Sequence, residues 1–205
     1  MKLYFSPGAC SLAIRILLHE LNINADYEAV NLKNKQTSSG GDFLKINPKG
    51  YVPALQLDNG EILTENTIIH QYLADKFKAN TLLPPIGDEK RYHVLEWLAY
   101  INSELHKGCS PLFNSNYSDD TRNKILIPNL KNKLNFVDNH LKKNKYLMGD
   151  SYTLPDGYLF VILNWLPNFG LNISDWPHLQ QYFKELEKRK SVKQALQEEK
   201  SLAAH

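Results

Sequence analysis

The chain is poor in cysteine. Cys10 and Cys109 are its only two in 205 residues, too few for a disulfide framework, so each reads as a free thiol in a reducing compartment. No apolar run approaches the ~20 residues that span a bilayer, and the N-terminus passes straight into a strand pattern with no signal-peptide core. A membrane partner is therefore not expected, and the cytoplasm is the default location. An excess of charge is missing too: 24 Lys and Arg against 22 Asp and Glu leave a formal +2. The densest basic stretch, Lys142-Lys143-Asn144-Lys145, follows a helical pattern and reads as a solvated helix end rather than a nucleic-acid site. The seven histidines lack paired spacing with Cys, Asp or Glu, so no metal set is apparent. A phosphate-cradling glycine loop and a dinucleotide fingerprint are both absent.

What remains is 42% hydrophobic and 22% charged, the composition of an ordinary globular protein long enough for two modest domains. Residues 1–80 alternate strand and helix. Leu3 to Phe5 is a strand, Ile14, Leu17, Leu18 and Leu21 recur at helical spacing, and Val30 and Leu32 alternate with polar neighbours. This is a β-α-β unit whose strands should run parallel. Gln36 to Gly41 reads as a loop and Asn47-Pro48-Lys49-Gly50 as a turn. Leu55 and Leu57, then Asp58-Asn59-Gly60, then Ile62-Leu63 form a hairpin. Thr64 is expected to cap a helix carrying Ile68, Ile69, Tyr72 and Leu73 on one face. The order β-α-β, connecting segment, β-β-α is the thioredoxin-like arrangement.

Residues 81–88, with Pro84-Pro85 and Gly87, mark a linker, and 89–205 read as all-helical. Val94, Leu98, Ile101 and Leu105 share one helical face; Leu130, Leu134, Val137 and Leu141 share another, with Pro128 starting or kinking that helix. Thr153-Leu154-Pro155-Asp156 resembles a capping box ahead of Tyr158-Leu159-Phe160-Val161, an apolar segment expected to be buried. Leu179, Tyr182, Phe183 and Leu186 form a last amphipathic stripe.

Cys10 carries the most chemical information. It follows the strand and the tight Ser6-Pro7-Gly8-Ala9 turn, where a helix opens. Free backbone N–H groups and the positive end of a helix dipole favour a thiolate there, whereas the bland alternative is a small buried thiol at a strand end. Binding crevices of such sheets lie at this end of the strands. Val52-Pro53 is a candidate cis bond that would present the Val52 backbone N–H and C=O to an extended ligand; a trans proline starting the strand is the reading that spacing alone favours.

Six segments resemble, in order, those of bacterial beta-class glutathione S-transferases. They are Ser6-Pro7-Gly8-Ala9-Cys10-Ser11, Asn47-Pro48-Lys49-Gly50-Tyr51-Val52-Pro53-Ala54-Leu55, Leu63-Thr64-Glu65, Gln71-Tyr72-Leu73-Ala74-Asp75, Glu96-Trp97-Leu98 and Glu104-Leu105-His106-Lys107-Gly108. The resemblance implies an α/β thioredoxin-like glutathione-binding domain over 1–80, an all-α domain over 89–205 lining the second-substrate pocket, a homodimer, and glutathione held between the domains. It further implies that Cys10 faces the glutathione sulfur and can form a mixed disulfide with it. Lys35 would take the glycine carboxylate, Val52 the cysteinyl backbone, Glu65 the γ-glutamyl ammonium and the N–H of Asn66 its carboxylate. Ser103, Glu104 and His106 would complete the glutathione site, with His106 as hydrogen-bond partner or proton carrier for the two sulfurs. Ala9, Cys109 and Phe113 would line the pocket for a hydrophobic electrophile.

The implied activity is a glutathione transferase that activates the glutathione thiol for attack on such electrophiles. Alternatives are thiol-disulfide or peroxide chemistry through Cys10, or a non-catalytic ligand-binding or regulatory protein of the same fold. Ser11 and Tyr4 are the rival thiol activators; Ser11 is equally a helix cap and Tyr4 a core strand residue. Four positions depart from the family pattern. Ala99 stands where relatives commonly carry Asn, a contact Asn102 would have to replace; Asn66 stands where a small residue is usual; Tyr51 replaces the polar residue usual before Val52; and Cys109 stands where an aromatic is usual. Cys109 reads as a small hydrophobe, with a resolving thiol for Cys10 as the sharper alternative.

Overall fold

The computed structural model describes residues 1–203, which group into two compact units: Met1–Ala79 together with the chain from Lys188 onward, and Asn80–Glu187. The first unit opens with β1 (Lys2–Phe5), α1 (Leu12–Glu20) and β2 (Asp26–Asn31), and β1 and β2 pair in parallel as a right-handed crossover requires. β3 (Gln36–Thr37) follows, then α2 (Phe43–Ile46), β4 (Ala54–Gln56), β5 (Ile62–Thr64) and α3 (Asn66–Lys76). The five strands lie in the order β3-β2-β1-β4-β5, with β4 antiparallel to both β1 and β5. This is the expected thioredoxin-like layout, with one addition. Gln36–Thr37, read as loop, pairs with Val30 and Asn31 as a two-residue edge strand. So short a segment carries too little alternation to stand out in sequence.

Other local expectations also shift. The Val52–Pro53 bond is cis, not trans. Thr64 belongs to β5, and the residue that caps α3 is Glu65, in a left-handed backbone conformation with φ 71° and no side-chain capping bond. The buried face of α3 is Ile69, His70, Leu73 and Ala74, while Ile68 is exposed. On one side of the sheet Tyr4, Val30, Phe43, Val52 and Ala54 form a buried cluster, against which the partly buried Ala9 packs. Tyr4 is thus a core strand residue, its hydroxyl 3.4 Å from Gln56 Oε1.

In the second unit α4 (Glu89–Tyr100) runs into a π-helical stretch, Ile101–His106, and then α5 (Lys107–Cys109). The short α6 (Asp119–Thr121) precedes α7 (Ile127–Leu141), which has Pro128 in its first turn, followed by α8 (Leu154–Leu163) and α9 (Pro177–Glu187). Val94, Leu98, Ile101 and Leu105 are all buried, as are Leu130, Leu134, Val137 and Leu141. Every residue of α8 is buried. At its start the Asp156 carboxylate accepts hydrogen bonds from Thr153 N–H at 2.7 Å, Thr153 Oγ1 at 3.1 Å, Leu147 N–H at 3.0 Å and the Tyr182 hydroxyl at 2.7 Å. Burial pushes this carboxyl above its ordinary range, against the pull of those donors.

The last helix, α10 (Lys190–Ala203), was expected with the all-helical region but packs in the first unit. The reason is chemical complementarity with α1. Val192 and Ala195 are buried, Arg189 makes a bidentate pair with Glu20 at 2.7 and 2.9 Å, and Glu198 bonds Arg15 at 3.0 Å and His19 at 2.9 Å. No helix of the described residues is long and apolar enough to cross a membrane.

Candidate active site

In the first unit the β1–α1 junction presents Cys10. The Ser6–Cys10 segment is a turn closed by Ala9 N–H on Ser6 C=O at 3.0 Å, with Gly8 at φ 72°, a conformation that glycine adopts without a Cβ penalty. Ser11 is completely buried, yet it does not cap α1 with its side chain. Its Oγ accepts Ser6 N–H at 3.2 Å and donates to Ser6 C=O at 3.3 Å, tying the two ends of the turn together. The N–H groups of Leu12, Ala13, Ile14 and Arg15 already bond the carbonyls of Ala9, Cys10 and Ser11. The expectation that unpaired donors of this helix face the thiol therefore does not hold for those four, and the dipole is what α1 still offers.

The half-buried Cys10 thiol donates to Val52 C=O at 3.2 Å. This joins two sequence-predicted site residues 42 positions apart. Asn66 joins them from α3: its Nδ2 donates to Cys10 C=O at 3.0 Å, and its Oδ1 is buried with no hydrogen-bond partner. The large side chain at a position where a small one was expected is thus spent on holding the Cys10 backbone. Glu65 projects outward and pairs with Lys49 at 2.7 Å, both more than half exposed, an ion pair of little energetic weight. Lys35, itself at φ 58°, donates to Gly50 C=O at 2.8 Å, with the Tyr51 ring 5.4 Å from its ammonium.

In the second unit the π-helical stretch carries Asn102, Ser103, Glu104 and His106. The wider π turn changes which side chains share a face, a feature common at functional sites. Ser103 is exposed, with its hydroxyl 3.3 Å from Glu104 Oε1, and Glu104 pairs with Lys133 at 2.9 Å. Lys133 holds the Glu104 carboxyl below its ordinary range.

His106 is the group that tertiary packing alters most. Its Nδ1 lies 2.6 Å from the Tyr158 hydroxyl, and that hydroxyl donates to Asn102 Oδ1 at 3.2 Å. A phenol with its proton on Asn102 accepts from His106 Nδ1–H, which puts the imidazole lone pair on Nε2. Burial lowers the His106 pKa to about 4, assisted by the neighbouring Lys107 charge. The ring is therefore neutral near pH 7, a hydrogen-bond acceptor at Nε2 rather than a cation.

Aromatic rings extend this region. His106 meets Trp165 at 5.1 Å between centroids, and Phe113 meets Trp165 at 5.4 Å and Phe169 at 4.8 Å, all edge to face. Phe113, 52% exposed, offers an apolar surface; Cys109, 0% exposed, does not, so its expected place in a pocket wall is not realised. Burial pushes the Cys109 thiol up to about 12, which disfavours the thiolate that a resolving role needs. Asn102, considered as a substitute for the missing Ala99 contact, uses its amide oxygen on Tyr158. In the sequence Tyr158 reads only as part of a buried apolar segment, and Trp165 and Phe169 do not stand out. The available signal is the Tyr158 hydroxyl at the head of an apolar run, which has to find a partner when buried.

Residues 1–75 match the glutathione S-transferase N-terminal domain and residues 100–190 the glutathione S-transferase C-terminal domain. The glutathione S-transferase GstA of Escherichia coli O157:H7 is 39% identical over 199 residues, covering 97% of this chain and 98% of that protein. Two solved structures superpose with a TM-score of 0.93 and cover 97% of this chain and 98% of theirs: a sphingomonad glutathione S-transferase complexed with glutathione, 39% identical, and the beta-class enzyme of Sphingomonas chungbukensis, 40% identical. With that identity spread over nearly the whole length and both domains matched, the chain belongs to the glutathione S-transferase family, beside its bacterial beta-class members.

Proposed function

We propose that this chain is a glutathione transferase that delivers the glutathione thiol to hydrophobic electrophiles, and that Cys10 is the residue its sulfur meets. The observation that carries this reading is the Cys10 thiol donating to Val52 C=O at 3.2 Å. An extended thiol peptide paired with the Val52 backbone would bring its own sulfur beside Cys10. Residues 1–80 would hold glutathione through Lys35, Val52, Glu65 and Asn66, and the helices after 88 would supply Ser103, Glu104 and His106 and the apolar surface for the electrophile. His106, neutral and carrying its lone pair on Nε2, would accept a hydrogen bond from the glutathione thiol and so orient it. The thiol gives up its proton to solvent, the thiolate attacks the electrophile, and the leaving group departs with the bonding electrons.

The test is retention on glutathione resin together with conjugation of a generic aryl halide by the wild-type chain. Retention and turnover support the reading; neither would favour a non-catalytic ligand-binding protein. Thiol-disulfide exchange is a second activity for the same residue. Cys10 thiolate attacks one sulfur of a disulfide, the other sulfur leaves as thiolate, and a further glutathione reduces the mixed disulfide. Thioltransferase activity that survives Cys10→Ala would discard it.

We further propose a cytoplasmic homodimer. No disulfide joins Cys10 and Cys109, which accords with a reducing compartment. The exposed Phe136 lies against Trp97 and Tyr100, whose rings are 5.9 and 5.2 Å from its own, an aromatic face suited to a second copy. Light scattering at twice the 23.6 kDa chain mass supports the dimer, and the chain mass itself rejects it.

A further inference from the structure

The turn that carries Cys10 is held from the far end of the chain. Glu199, in α10, accepts the Gly8 backbone N–H on its Oε2 at 2.7 Å, across 191 residues of sequence. The residue is 5% exposed, and its second oxygen, Oε1, is buried without a hydrogen-bond partner, 3.8 Å from Arg15 Nε. A carboxylate buried this deeply requires compensation, and its burial raises its pKa. Arg15 supplies the compensating charge from α1. It is 1% exposed, and its guanidinium lies 4.3 Å from the centre of the Phe5 ring and 3.9 Å from that of Tyr27. Arg15 has few alternative positions, so it fixes where the Glu199 carboxylate sits. Next to it Glu198 anchors the same helix through Arg15 and His19 without touching the turn.

We propose that Glu199 is a positioning residue for Cys10: its carboxylate pins Gly8, two residues upstream, and thereby holds the thiol against Val52. This rests on the reading of Cys10 as the glutathione-facing residue. The turn is tied from outside its own backbone ladder by the Ser11 hydroxyl on Ser6, by Asn66 Nδ2 on Cys10 C=O and by Glu199 on Gly8. The Glu199 bond reaches its middle, where glycine removes the side-chain packing that would otherwise restrain the chain. Release of Gly8 lets the segment from Gly8 to Cys10 move by a fraction of a residue, and a displacement of about 1 Å at a reacting group costs on the order of a hundredfold in rate.

The test compares Glu199→Ala, Glu199→Gln and Glu198→Ala in the full chain, with two readouts. The first is alkylation by iodoacetamide at pH 7, mapped by mass spectrometry; it needs no glutathione, so it reports on the turn even if the wild type conjugates nothing. Glu199→Ala should alkylate at Cys10 at least threefold faster than wild type while Cys109 stays unmodified, because a loosened turn frees the thiol from Val52 and an intact fold keeps Cys109 buried. Glu199→Gln, which retains an acceptor for Gly8, should return to within twofold of wild type, and Glu198→Ala should match wild type at Cys10 while melting at lower temperature. The second readout is kcat/KM for aryl-halide conjugation. It should fall at least tenfold in Glu199→Ala and recover in Glu199→Gln. Unchanged Cys10 alkylation in Glu199→Ala overturns the proposal, as does joint modification of Cys10 and Cys109, which would mean general unfolding. Equal effects of Glu198→Ala and Glu199→Ala at Cys10 also overturn it, since the anchoring of α10 would then be the cause. A wild type that neither binds nor conjugates glutathione removes the functional reading and leaves the alkylation result standing.

Discussion

His106 Nδ1 and the Tyr158 hydroxyl lie 2.6 Å apart, 52 residues separated in sequence, and this contact sets which imidazole nitrogen can take a proton. Tyr158 comes from the buried α8 and His106 from the π-helical stretch, so a fully buried helix orients the histidine.

Tyr158→Phe should lower kcat for conjugation roughly tenfold, less than the roughly 10²–10⁴-fold that a positioned proton-transfer group contributes, with little change in glutathione KM. Loss of the phenol leaves Nδ1–H without its acceptor and allows the other tautomer. Nitrogen NMR of His106 should then show Nδ1 and Nε2 shifts exchanging; an unchanged pattern at full activity would show that Tyr158 does not orient the ring.

Stability should decline as pH falls from about 6.5 towards 4, through two histidines. Burial lowers His70 and His106 to about 4 from an ordinary 6.5, and His70 also has its Nδ1 2.7 Å from Asn66 C=O. Above pH 6.5 both are neutral in the folded and unfolded chain and contribute nothing to the pH dependence. Below it the unfolded chain takes up protons that the folded chain refuses, so unfolding gains on the order of 2 to 3 kcal/mol for each histidine by pH 4. Urea melts across this range should move accordingly, and His70→Gln should flatten the slope.

Asp156→Ala should be among the most damaging single changes. It leaves the donors of Thr153, Leu147 and Tyr182 in the core without the acceptor they share. A loss of roughly 3 to 5 kcal/mol follows from breaking such a buried network. Thr153→Ala, which removes one hydroxyl, should cost about 1 kcal/mol. Equal effects of the two changes in denaturant melts would contradict this ranking.

Cys109→Ala should leave glutathione conjugation within twofold of wild type and cost about 1 kcal/mol in stability, the value of a small buried side chain. Oxidised wild-type protein should carry glutathione on Cys10 and nothing on Cys109, whose thiol is held at about 12 by burial. A Cys10–Cys109 crosslink in the mass spectrum would contradict that assignment.

Periodicity was enough to place the long elements. The faces led by Val94 and Leu130 were legible because burial against one side repeats every three to four residues. The connection β-α-β, β-β-α was legible because glycine and asparagine turns punctuate it. Two-residue β3 and the π turn from Ile101 to His106 were not, since neither changes the local pattern of residue types. Thr64 was misread as a cap because Glu65 takes a left-handed conformation that side-chain preference does not announce.

The site divides along the same line. Cys10 and Val52 stood out in local motifs and Asn66 through the family resemblance, and the sequence alone determined that a thiol would stand at a strand-to-helix turn, with a histidine late on the first helix of the all-α region. Only the tertiary structure decided what those groups touch: Val52 against the Cys10 thiol, Tyr158 beside His106, Glu199 on Gly8. A motif specifies residue types over a few positions. Protonation, tautomer and the position of a turn depend on burial and on partners 42, 52 and 191 residues away, which the chain acquires only when it packs.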